Sequence, residues 1–242
     1  MTKILCRSCN KKLKDVFLDL GKCPPSNSLI RNEKEKKKEK KFQLLTYVCS
    51  NCWLVQTKDV VSKKIFFNNH YPYFSSTSSS WLNHAKDYVT KICSKLKLDK
   101  RSFVIELASN DGYLLQYFKK KKIPCMGIEP SKNTANVAKK KGIKTLDNFF
   151  SYDLAKKIKH KPDLIIGNNV YAHVPNLNDF TKGIKTLLKK GGTITLEFPH
   201  LLNLIKYSQF DTIYHEHFSY FSLLTVKNIF KKNKLKIFSV EK

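Results

Sequence analysis

The sequence lacks the features that would place it in several large classes of protein. Its eight glycines form no Gly-x-Gly-x-x-Gly motif, which disfavours a nicotinamide or flavin dinucleotide as ligand. Its N-terminus has no apolar segment typical of a secretory signal, and no later run approaches the roughly 18 apolar residues of a membrane span. We therefore expect a cytoplasmic protein without a membrane-spanning segment.

Arginine and acidic residues are also scarce. Only three of the 46 basic residues are arginine, and the 19 acidic residues leave a formal net charge of +27. Such a charge suggests nucleic acid or anionic lipid as a partner. Proteins that read nucleic-acid sequence rely on arginine forks, however, and the lysines here are scattered through nearly every segment. A general bias towards lysine explains the charge at least as well, so nucleic acid is disfavoured as a partner.

What the sequence does contain is enough apolar material for a folded core. Its 242 residues are 41% hydrophobic and 12% aromatic. A chain of this length and composition can form one large or two unequal globular domains.

Four of the seven cysteines form two C-x-x-C pairs, Cys6/Cys9 and Cys49/Cys52. In a chain without a secretory signal, such pairs indicate a metal site. Four thiolates complete a tetrahedral structural zinc site and leave no open position for catalysis. A redox pair is the alternative, but the βαβ pattern that accompanies thioredoxin-like motifs is missing here. Between the pairs, the charged run 33–41 predicts a solvated loop.

An apolar run formed by Phe103, Val104, Ile105 and Leu107 is followed by a polar turn at 109–112 and then by helical spacing, which predicts a strand, a loop and a helix. A loop at a helix N-terminus offers backbone N–H groups to a ligand, and the glycine of this turn would admit a ligand closely. Glu129 follows about 20 residues later, where a second strand presents a carboxylate to ribose hydroxyls. A nucleoside cofactor such as S-adenosylmethionine remains open; alternatively, Asn110 and Asp111 merely cap the helix.

Downstream of this loop, strand patterns alternate with helix patterns. We predict strands over 124–129, 143–146, 163–170 and 192–198, and helices over 113–121, 134–141, 152–158 and 225–232. The alternation predicts an α/β fold with a doubly wound parallel sheet, whose ligands bind at the carboxyl ends of the strands. The polar residues that we expect at that edge are Asn110, Asp111, Glu129, Asn168, Asn169, Glu197 and His200.

Residues 66–81 are rich in tyrosine, phenylalanine and serine. A linker is one interpretation of this segment. Aromatic residues are unusual in a plain linker, however, and tyrosine and serine hydroxyls would suit a lid over a polyhydroxyl ligand. The apolar spacing from Trp81 to Leu98 then predicts a helix that leads into the sheet.

The stretch 210–221 contains Tyr214, His215, Glu216 and His217 in succession. In a strand the two histidines would share a face, whereas in a helical turn Tyr214 and His217 would. An H-x-H metal site is disfavoured because the cysteines already supply a complete zinc set, and structural histidines are a second interpretation. Acid–base chemistry is favoured because histidine titrates near neutral pH, and tyrosine or glutamate can orient it or donate to an oxyanion.

Together these motifs resemble those of the S-adenosylmethionine-dependent C-methyltransferases that act on nucleotide-linked keto-deoxysugars. The resemblance covers nearly the whole chain and rests on the cysteine pairs with LDLG and PPSN, and on YPYFSS, ELASNDGYLL, GIEPS, GNNVYAHV, LEFPH and FDTIYHEHFSYF. It implies a small zinc-binding domain before a Rossmann-like class I methyltransferase sheet. It also implies that S-adenosylmethionine is bound by Glu106, Asn110, Asp111, Gly112, Glu129 and Asn168, and the sugar by Tyr73, His173, Tyr214, Glu216 and His217.

The reaction that the resemblance implies is methyl transfer to a sugar carbon that has lost a proton beside a ketone. Such a reaction needs a base and a partner for the enolate oxygen. We expect His217 to be the base and Glu216 to fix an imidazole tautomer. Tyr214 and His173 would then donate to the enolate oxygen.

The family pattern also includes a further Rossmann-like C-terminal domain, whereas this sequence stops at Lys242. Residues 235–240 predict a sixth strand, with nothing after it to form an antiparallel seventh. We therefore expect a zinc-binding domain at 1–65, a linking segment at 66–98 and an incomplete methyltransferase domain at 99–242, which a separate chain would complete. The alternatives are a zinc-ribbon protein that binds or modifies nucleic acid, such as an RNA methyltransferase, and an inactive truncated remnant.

Overall fold

A computed structural model describes residues 4–58 and 71–241. The chain divides into two compact units. One contains the described parts of 1–66 together with 169–185 and 198–242, and the other contains the described parts of 67–168 together with 186–197. We call the first the knuckle unit, after its cysteine pairs, and the second the sheet unit, after its parallel sheet.

The regular elements are numbered here in chain order. The strands are β1 (Asp15–Cys23), β2 (Phe42–Val48), β3 (Val55–Thr57), β4 (Val104–Leu107), β5 (Cys125–Ile128), β6 (Lys144–Leu146), β7 (Leu164–Asn168), β8 (Thr193–Glu197) and β9 (Ser219–Tyr220). The helices are α1 (Glu33–Lys36), α2 (Ser79–Leu96), α3 (Leu115–Lys120), α4 (Lys132–Lys140), α5 (Tyr152–Lys157), α6 (Leu177–Leu187), α7 (Leu201–Lys206) and α8 (Leu223–Lys232). None of these helices has both the length and the apolar character needed to span a membrane.

A parallel sheet with the strand order β6-β5-β4-β7-β8 forms the centre of the sheet unit. Every residue of β4 and β7 is buried, which explains why these strands are apolar without alternation. From β4 the chain adds β5 and β6 on one side of the sheet and then β7 and β8 on the other. The topological switch point therefore lies between β4 and β7. This topology confirms the predicted α/β fold with a doubly wound parallel sheet.

Helix α2 supplies one side of the sheet unit's core. Its first turn is capped by Ser78, whose side chain accepts from the N–H of Trp81, and it ends at Lys97 in the left-handed region with φ 52°. Helical spacing places its apolar residues on one buried face. That face consists of Ala85, Val89, Ile92 and Cys93.

An antiparallel sheet with the strand order β1-β2-β3-β9 organises the knuckle unit. Its last strand, β9, belongs to the histidine stretch 210–221 and pairs with β3 through Val55 with Tyr220 and Gln56 with Ser219. The sheet therefore fixes the end of the histidine stretch against the N-terminal strands. Helix α1 lies in the charged run between the cysteine pairs and has no buried residue. The run is therefore solvated as predicted, but its first residues form a short helix and not a loop.

The predicted sixth strand over 235–240 is wrong. After α8 the chain turns at Asn233 and Lys234 and has no regular structure from 235 to 241. Phe238 and Val240 are 66% and 61% exposed. A strand needs a neighbour for its backbone groups, and no strand in the described part of the chain pairs with this segment. Apolar alternation alone was therefore not sufficient evidence for a strand.

Candidate functional site

The four cysteines of the two C-x-x-C pairs lie together in the knuckle unit. Their Sγ atoms are all within 4.8 Å of one another, with Cys6 3.4 Å from Cys52 and Cys9 3.5 Å from Cys49. Thiolates about 2.3 Å from a tetrahedral zinc ion lie about 3.8 Å apart, so this cluster fits zinc. The contact between Cys6 and Cys52 raises the pKa of the first thiol and lowers that of the second, and a bound metal would favour the thiolate form of all four cysteines.

Each cysteine pair is shaped by a tight backbone turn. The N–H of Asn10 donates to the Cys6 carbonyl at 2.9 Å, and the N–H of Trp53 donates to the Cys49 carbonyl at 2.8 Å. Asn10 and Trp53 occupy the left-handed region, with φ 60° and 63°. Equivalent turns thus follow both pairs, and they explain how two short motifs present four sulfur atoms to one point.

The loop after β4 contains three residues with positive φ: Ala108 at 53°, Asn110 at 49° and Gly112 at 76°. It reaches Glu129, which follows β5. The N–H of Asn110 donates to Glu129 Oε2 at 2.9 Å, and the N–H of Ser131 donates to Oε1 at 2.8 Å. The loop and the carboxylate that we predicted from their spacing are therefore adjacent.

The side chains of Asn110 and Asp111 hold the aromatic and serine-rich segment. Asn110 Oδ1 accepts from the N–H of Ser75 at 2.9 Å. Asp111 Oδ2 accepts from the Ser76 hydroxyl and lies 3.4 Å from Lys141 Nζ. Helix α3 starts one turn later, and the residue before it makes no side-chain capping bond. The interpretation of these two residues as helix caps is therefore wrong.

Several buried polar atoms at the carboxyl ends of the parallel strands have no hydrogen-bond partner among the described residues. They are Glu106 Oε2, Ser109 Oγ, Asp111 Oδ1, Asn133 Oδ1 and Asn168 Nδ2. Buried polar groups are almost always hydrogen-bonded, so this cluster fits a ligand that supplies the missing partners. Glu106, Asp111 and Asn168 are among the predicted cofactor residues, and such acceptors and donors suit the hydroxyl and amino groups of a nucleoside cofactor.

Gly112 is required by packing as well as by its backbone conformation. A Cβ at this position would lie 2.5 Å from Ile143 Cδ1 and 3.3 Å from the Cβ of Ala138. The protein itself therefore fills the space beside Gly112 that we expected a ligand to approach. Gly112 can therefore take its predicted cofactor role only through its backbone N–H or carbonyl group.

His173, Tyr214 and His217 form a cluster in the knuckle unit. The Tyr214 hydroxyl lies 2.8 Å from His217 Nε2, and the centroids of the two imidazole rings are 4.6 Å apart. The N–H of His217 donates to the Tyr214 carbonyl at 3.0 Å. This turn brings Tyr214 and His217 together, as expected for a helical turn and not for a strand.

Backbone carbonyls fix the tautomers of both imidazoles. Nδ1 of His217 lies 2.8 Å from the Thr212 carbonyl, and Nδ1 of His173 lies 3.0 Å from the Glu216 carbonyl. A carbonyl can only accept, so each Nδ1 carries the proton and each Nε2 is an acceptor. Burial lowers the pKa of His217 to about 4 and that of His173 to about 3. Both rings are therefore neutral at pH 7.

The carboxylate of Glu216 does not take the role that we predicted for it, because backbone carbonyls orient the imidazoles. Its Oε1 accepts from the Ser26 hydroxyl at 2.9 Å and from the Asn27 amide at 2.8 Å. Burial raises the pKa of this carboxyl group. We predicted no role for Ser26 or Asn27. The signal for them in the sequence was the PPSN motif that contains both residues.

Tyr73 lies in the sheet unit, just before a 3-10 turn at Ser75–Thr77. Its side chain is 49% exposed, and its carbonyl accepts from Asn110 Nδ2 at 3.1 Å. Residues 66–70 of the aromatic segment lie outside the described residues. The contacts of the part from Tyr73 onwards with the cofactor loop distinguish it from a plain linker, while the contact of Tyr73 with a sugar stays a prediction.

Comparison with known families gives two matches along the chain. A family described as "Methyltransferase domain" matches residues 81–240. This chain belongs to the methyltransferase-domain family. A second family, described as "Putative zinc binding domain", matches residues 6–67 of this methyltransferase. The two matches confirm the predicted combination of a zinc-binding domain with a methyltransferase domain.

The C-methyltransferase NovU of Streptomyces niveus is 32% identical over 241 residues, which are 97% of this chain and 56% of NovU. The methyltransferase described here thus spans about half the length of this curated relative.

Two solved structures resemble the methyltransferase in fold. A SAM dependent methyltransferase from Archaeoglobus fulgidus has a TM-score of 0.54 at 15% identity, covering 63% of this chain and 68% of its own. The YcgJ protein of Bacillus subtilis has a TM-score of 0.51 at 15% identity, covering 62% and 68%. The fold is that of a class I methyltransferase. With the cysteine cluster, it supports S-adenosylmethionine and zinc as cofactors.

Proposed function

We propose that this methyltransferase transfers a methyl group from S-adenosylmethionine to a carbon of a nucleotide-linked keto-deoxysugar. The observation that carries the proposal is the pair of neutral imidazoles, His173 and His217, beside Tyr214. A sugar carbon becomes nucleophilic only when it loses a proton, so its methylation needs a base that is unprotonated near neutral pH. The likeness to NovU, a C-methyltransferase, also supports methylation at carbon.

His217 Nε2 is the proposed base. The Thr212 carbonyl holds the proton of the ring on Nδ1, which leaves Nε2 as an acceptor beside the Tyr214 hydroxyl. When Nε2 takes a proton from the carbon next to the ketone, it can no longer accept from Tyr214. The Tyr214 O–H then becomes a donor for the enolate oxygen, at the moment when that oxygen gains negative charge.

His173 takes a different part from the one we expected. Its Nδ1 donates to the Glu216 carbonyl, so the neutral ring presents an acceptor at Nε2 and cannot donate to an enolate. We assign it to a hydroxyl group of the sugar, which can donate to Nε2. The Glu216 carboxylate, held by Ser26 and Asn27, is assigned to a second sugar hydroxyl, and Tyr73 keeps its predicted contact with the sugar.

The methyl donor is assigned to the loop after β4 and to Glu129. S-adenosylmethionine supplies an electrophilic methyl group when it is bound. Backbone N–H groups hold both oxygens of Glu129, and each oxygen retains a second lone pair that can accept from a ribose hydroxyl. The remaining cofactor contacts are assigned to Glu106, Asn110, Asp111, Gly112 and Asn168.

We assign zinc a structural role, because four cysteine ligands leave no open coordination position. Thiolate ligands of this kind persist in a reducing compartment, so we place the activity in the cytoplasm. A separate chain that completes the enzyme stays a prediction, in keeping with the 56% of NovU that this chain covers.

The proposal is tested by following solvent deuterium at the sugar carbon beside the ketone, together with methyl transfer. We expect His217→Asn to lower both rates by about 100-fold or more. Tyr214→Phe should lower both rates by a smaller factor, because it removes the donor and leaves the base. His160→Asn, at an exposed histidine, is the matched control and should change neither rate. Full deuterium exchange by the His217 variant would exclude His217 as the base.

A further inference from the structure

Arg7 lies between two of the zinc-type cysteines, Cys6 and Cys9, but its side chain contacts the histidine stretch. Its Nη2 donates to the Thr57 carbonyl at 2.9 Å, and its Nε donates to the Phe218 carbonyl at 3.2 Å. The centre of the guanidinium also lies 5.2 Å from the centroid of the Phe218 ring. One arginine of the first knuckle thus holds the backbone on the C-terminal side of His217.

The carbonyl of His217 is held from the same side. The Thr57 hydroxyl donates to it, and the N–H of Thr57 donates to the Phe218 carbonyl at 3.1 Å. The carbonyls of two successive residues, His217 and Phe218, therefore both accept from Thr57, and Arg7 binds one of them together with the Thr57 carbonyl. These bonds hold the backbone of His217, the residue whose ring nitrogen Nε2 contacts Tyr214.

Side chains of β3 and α6 fix the backbone of Arg7 beside the first cysteine pair. Its N–H donates to Gln56 Oε1 at 2.8 Å, and its carbonyl accepts from Asn178 Nδ2 at 3.1 Å. The residue before it, Cys6, donates its N–H to the Lys11 carbonyl at 2.9 Å and provides a sulfur atom of the cluster. Arg7 thus lies in the same turn as two sulfur atoms of the cluster, and its backbone is also held from β3 and α6.

We infer that Arg7 is a positioning residue for His217, through which the order of the zinc knuckle is carried to the base. This inference rests on the proposed function of His217. Arginine suits the task because its planar fork binds two carbonyls at once, whereas a lysine ammonium is a single flexible donor. The zinc-binding domain then contributes to the reaction by holding the base, in addition to stabilising the fold.

The inference is tested with Arg7→Met, with Arg7→Lys, and with Arg31→Met as the matched control at an exposed arginine. The first measurement is the histidine 15N NMR spectrum of the zinc-loaded protein without sugar. In the control, the His217 signals should show the Nδ1-protonated tautomer. In Arg7→Met they should shift towards a mixture of tautomers, because the backbone beside His217 loses the two guanidinium bonds and keeps those from Thr57.

The second measurement is the rate of methyl transfer. We expect Arg7→Met to lower kcat by about 10- to 100-fold, with little change in the KM for S-adenosylmethionine. Arg7→Lys should recover part of the rate and give an intermediate spectrum. Equal losses in Arg7→Met and Arg31→Met would overturn the inference, because a general loss of charge would then explain both.

An unchanged His217 spectrum in a folded, zinc-loaded Arg7→Met protein would also overturn it. If Arg7→Met does not retain one equivalent of zinc, the Arg7→Lys spectrum decides: an intermediate spectrum supports the inference, and a wild-type one overturns it. The spectrum needs no substrate, so it remains decisive even if no keto sugar is methylated. In that case the proposed function fails, and the positioning of His217 by Arg7 is still tested.

Discussion

Burial acts in opposite directions on the two candidate sites. In the sheet unit it raises the pKa of Glu106 well above its usual value and also raises that of Glu129. In the knuckle unit it lowers the pKa of His173 to about 3 and that of His217 to about 4. Desolvation favours the neutral form of any titratable group. The histidines are therefore kept as neutral bases, whereas the carboxyl groups need donors if they are to carry charge.

The two sites also differ in how completely the protein supplies those partners. One carbonyl and one tyrosine hydroxyl contact the two ring nitrogens of His217. Two backbone N–H groups bind Glu129, but Glu106 Oε2 and Asp111 Oδ1 are buried without a partner among the described residues. Groups of the chain thus contact both nitrogens of the base, whereas the carboxyl ends of the parallel strands retain buried polar atoms that a ligand could pair. Perturbing one site should leave the other largely intact.

The largest expected effect is the loss of the metal from the knuckle unit. Zinc sites of this kind contribute about 10–16 kcal/mol of binding free energy. We therefore expect Cys52→Ser to give rapid amide hydrogen exchange across 4–58 and in the histidine stretch, with a much smaller effect on cofactor affinity. Exchange mass spectrometry and calorimetry measure the two effects, with Cys125→Ser in the sheet unit as the control. Unchanged exchange in Cys52→Ser would contradict a structural metal.

The next effect concerns the cofactor edge. Removing the carboxylate in Glu129→Ala should weaken S-adenosylmethionine binding by about 2–4 kcal/mol, or about 30- to 1000-fold, and Glu129→Gln should weaken it less because one acceptor remains. Calorimetry measures the affinity, and Asp87→Ala, an exposed acid of the same unit, is the control. The His217 NMR spectrum should not change. An affinity equal to that of the control would place the cofactor elsewhere.

Acidification should separate the two units. The folded-state pKa values of His217 and His173 are below their usual 6.5, so the stability gained by burying them neutral is complete above pH 6.5 and is lost as the pH falls towards 4. For Glu106 the sign is reversed, because its folded-state pKa lies above the usual 4.5. The stability that buried, protonated Glu106 contributes is complete below pH 4.5 and is lost as the pH rises through the raised folded-state pKa.

We therefore expect amide protection to fall in the knuckle unit but not in the sheet unit between pH 6.5 and 4, a window set by the usual and lowered histidine pKa values. Exchange mass spectrometry at constant excess zinc, with the zinc content measured at each pH, separates protonation of the imidazoles from metal loss. His173→Asn should reduce the slope. Parallel loss of protection in both units would contradict the comparison.

How much could be predicted depends on whether the signal is local in the sequence. The strands β4, β5, β7 and β8 were predictable because each is a short apolar or alternating segment next to a polar turn, and the observed strands lie within the predicted ranges. The zinc cluster was predictable because each C-x-x-C pair forms its own turn. The predicted strand at 235–240 failed because it needed a distant partner.

The contacts that the sequence did not reveal connect distant residues. The pairing of β9 with β3, the bond between Ser26 and Glu216, and the fork of Arg7 on Phe218 all depend on the tertiary fold. The lysine-rich composition concealed a further contact of this kind. Lys141 is one of 46 basic residues, and only the fold shows that it lies beside a buried aspartate.

That lysine gives the smallest expected effect. Lys141 Nζ lies 2.9 Å from the Asp111 carbonyl and 3.4 Å from its Oδ2, so Lys141→Met removes a cation beside Asp111, whose negative charge already acts on the buried Glu106. Partly exposed ion pairs contribute under about 1 kcal/mol. We therefore expect S-adenosylmethionine affinity to fall by a factor of about 2 to 5, and less at high salt.

The matched control for this variant is Lys140→Met, at the exposed end of α4, which removes the same charge without the contact. Calorimetry at low and high salt measures both variants. A salt-dependent difference in affinity between the two variants would show that a nearby cation stabilises the charged carboxylates of the proposed cofactor site. The neutral histidines need no such cation. Identical affinities of the two variants would mean that backbone N–H groups alone stabilise the charged carboxylates of the proposed cofactor site.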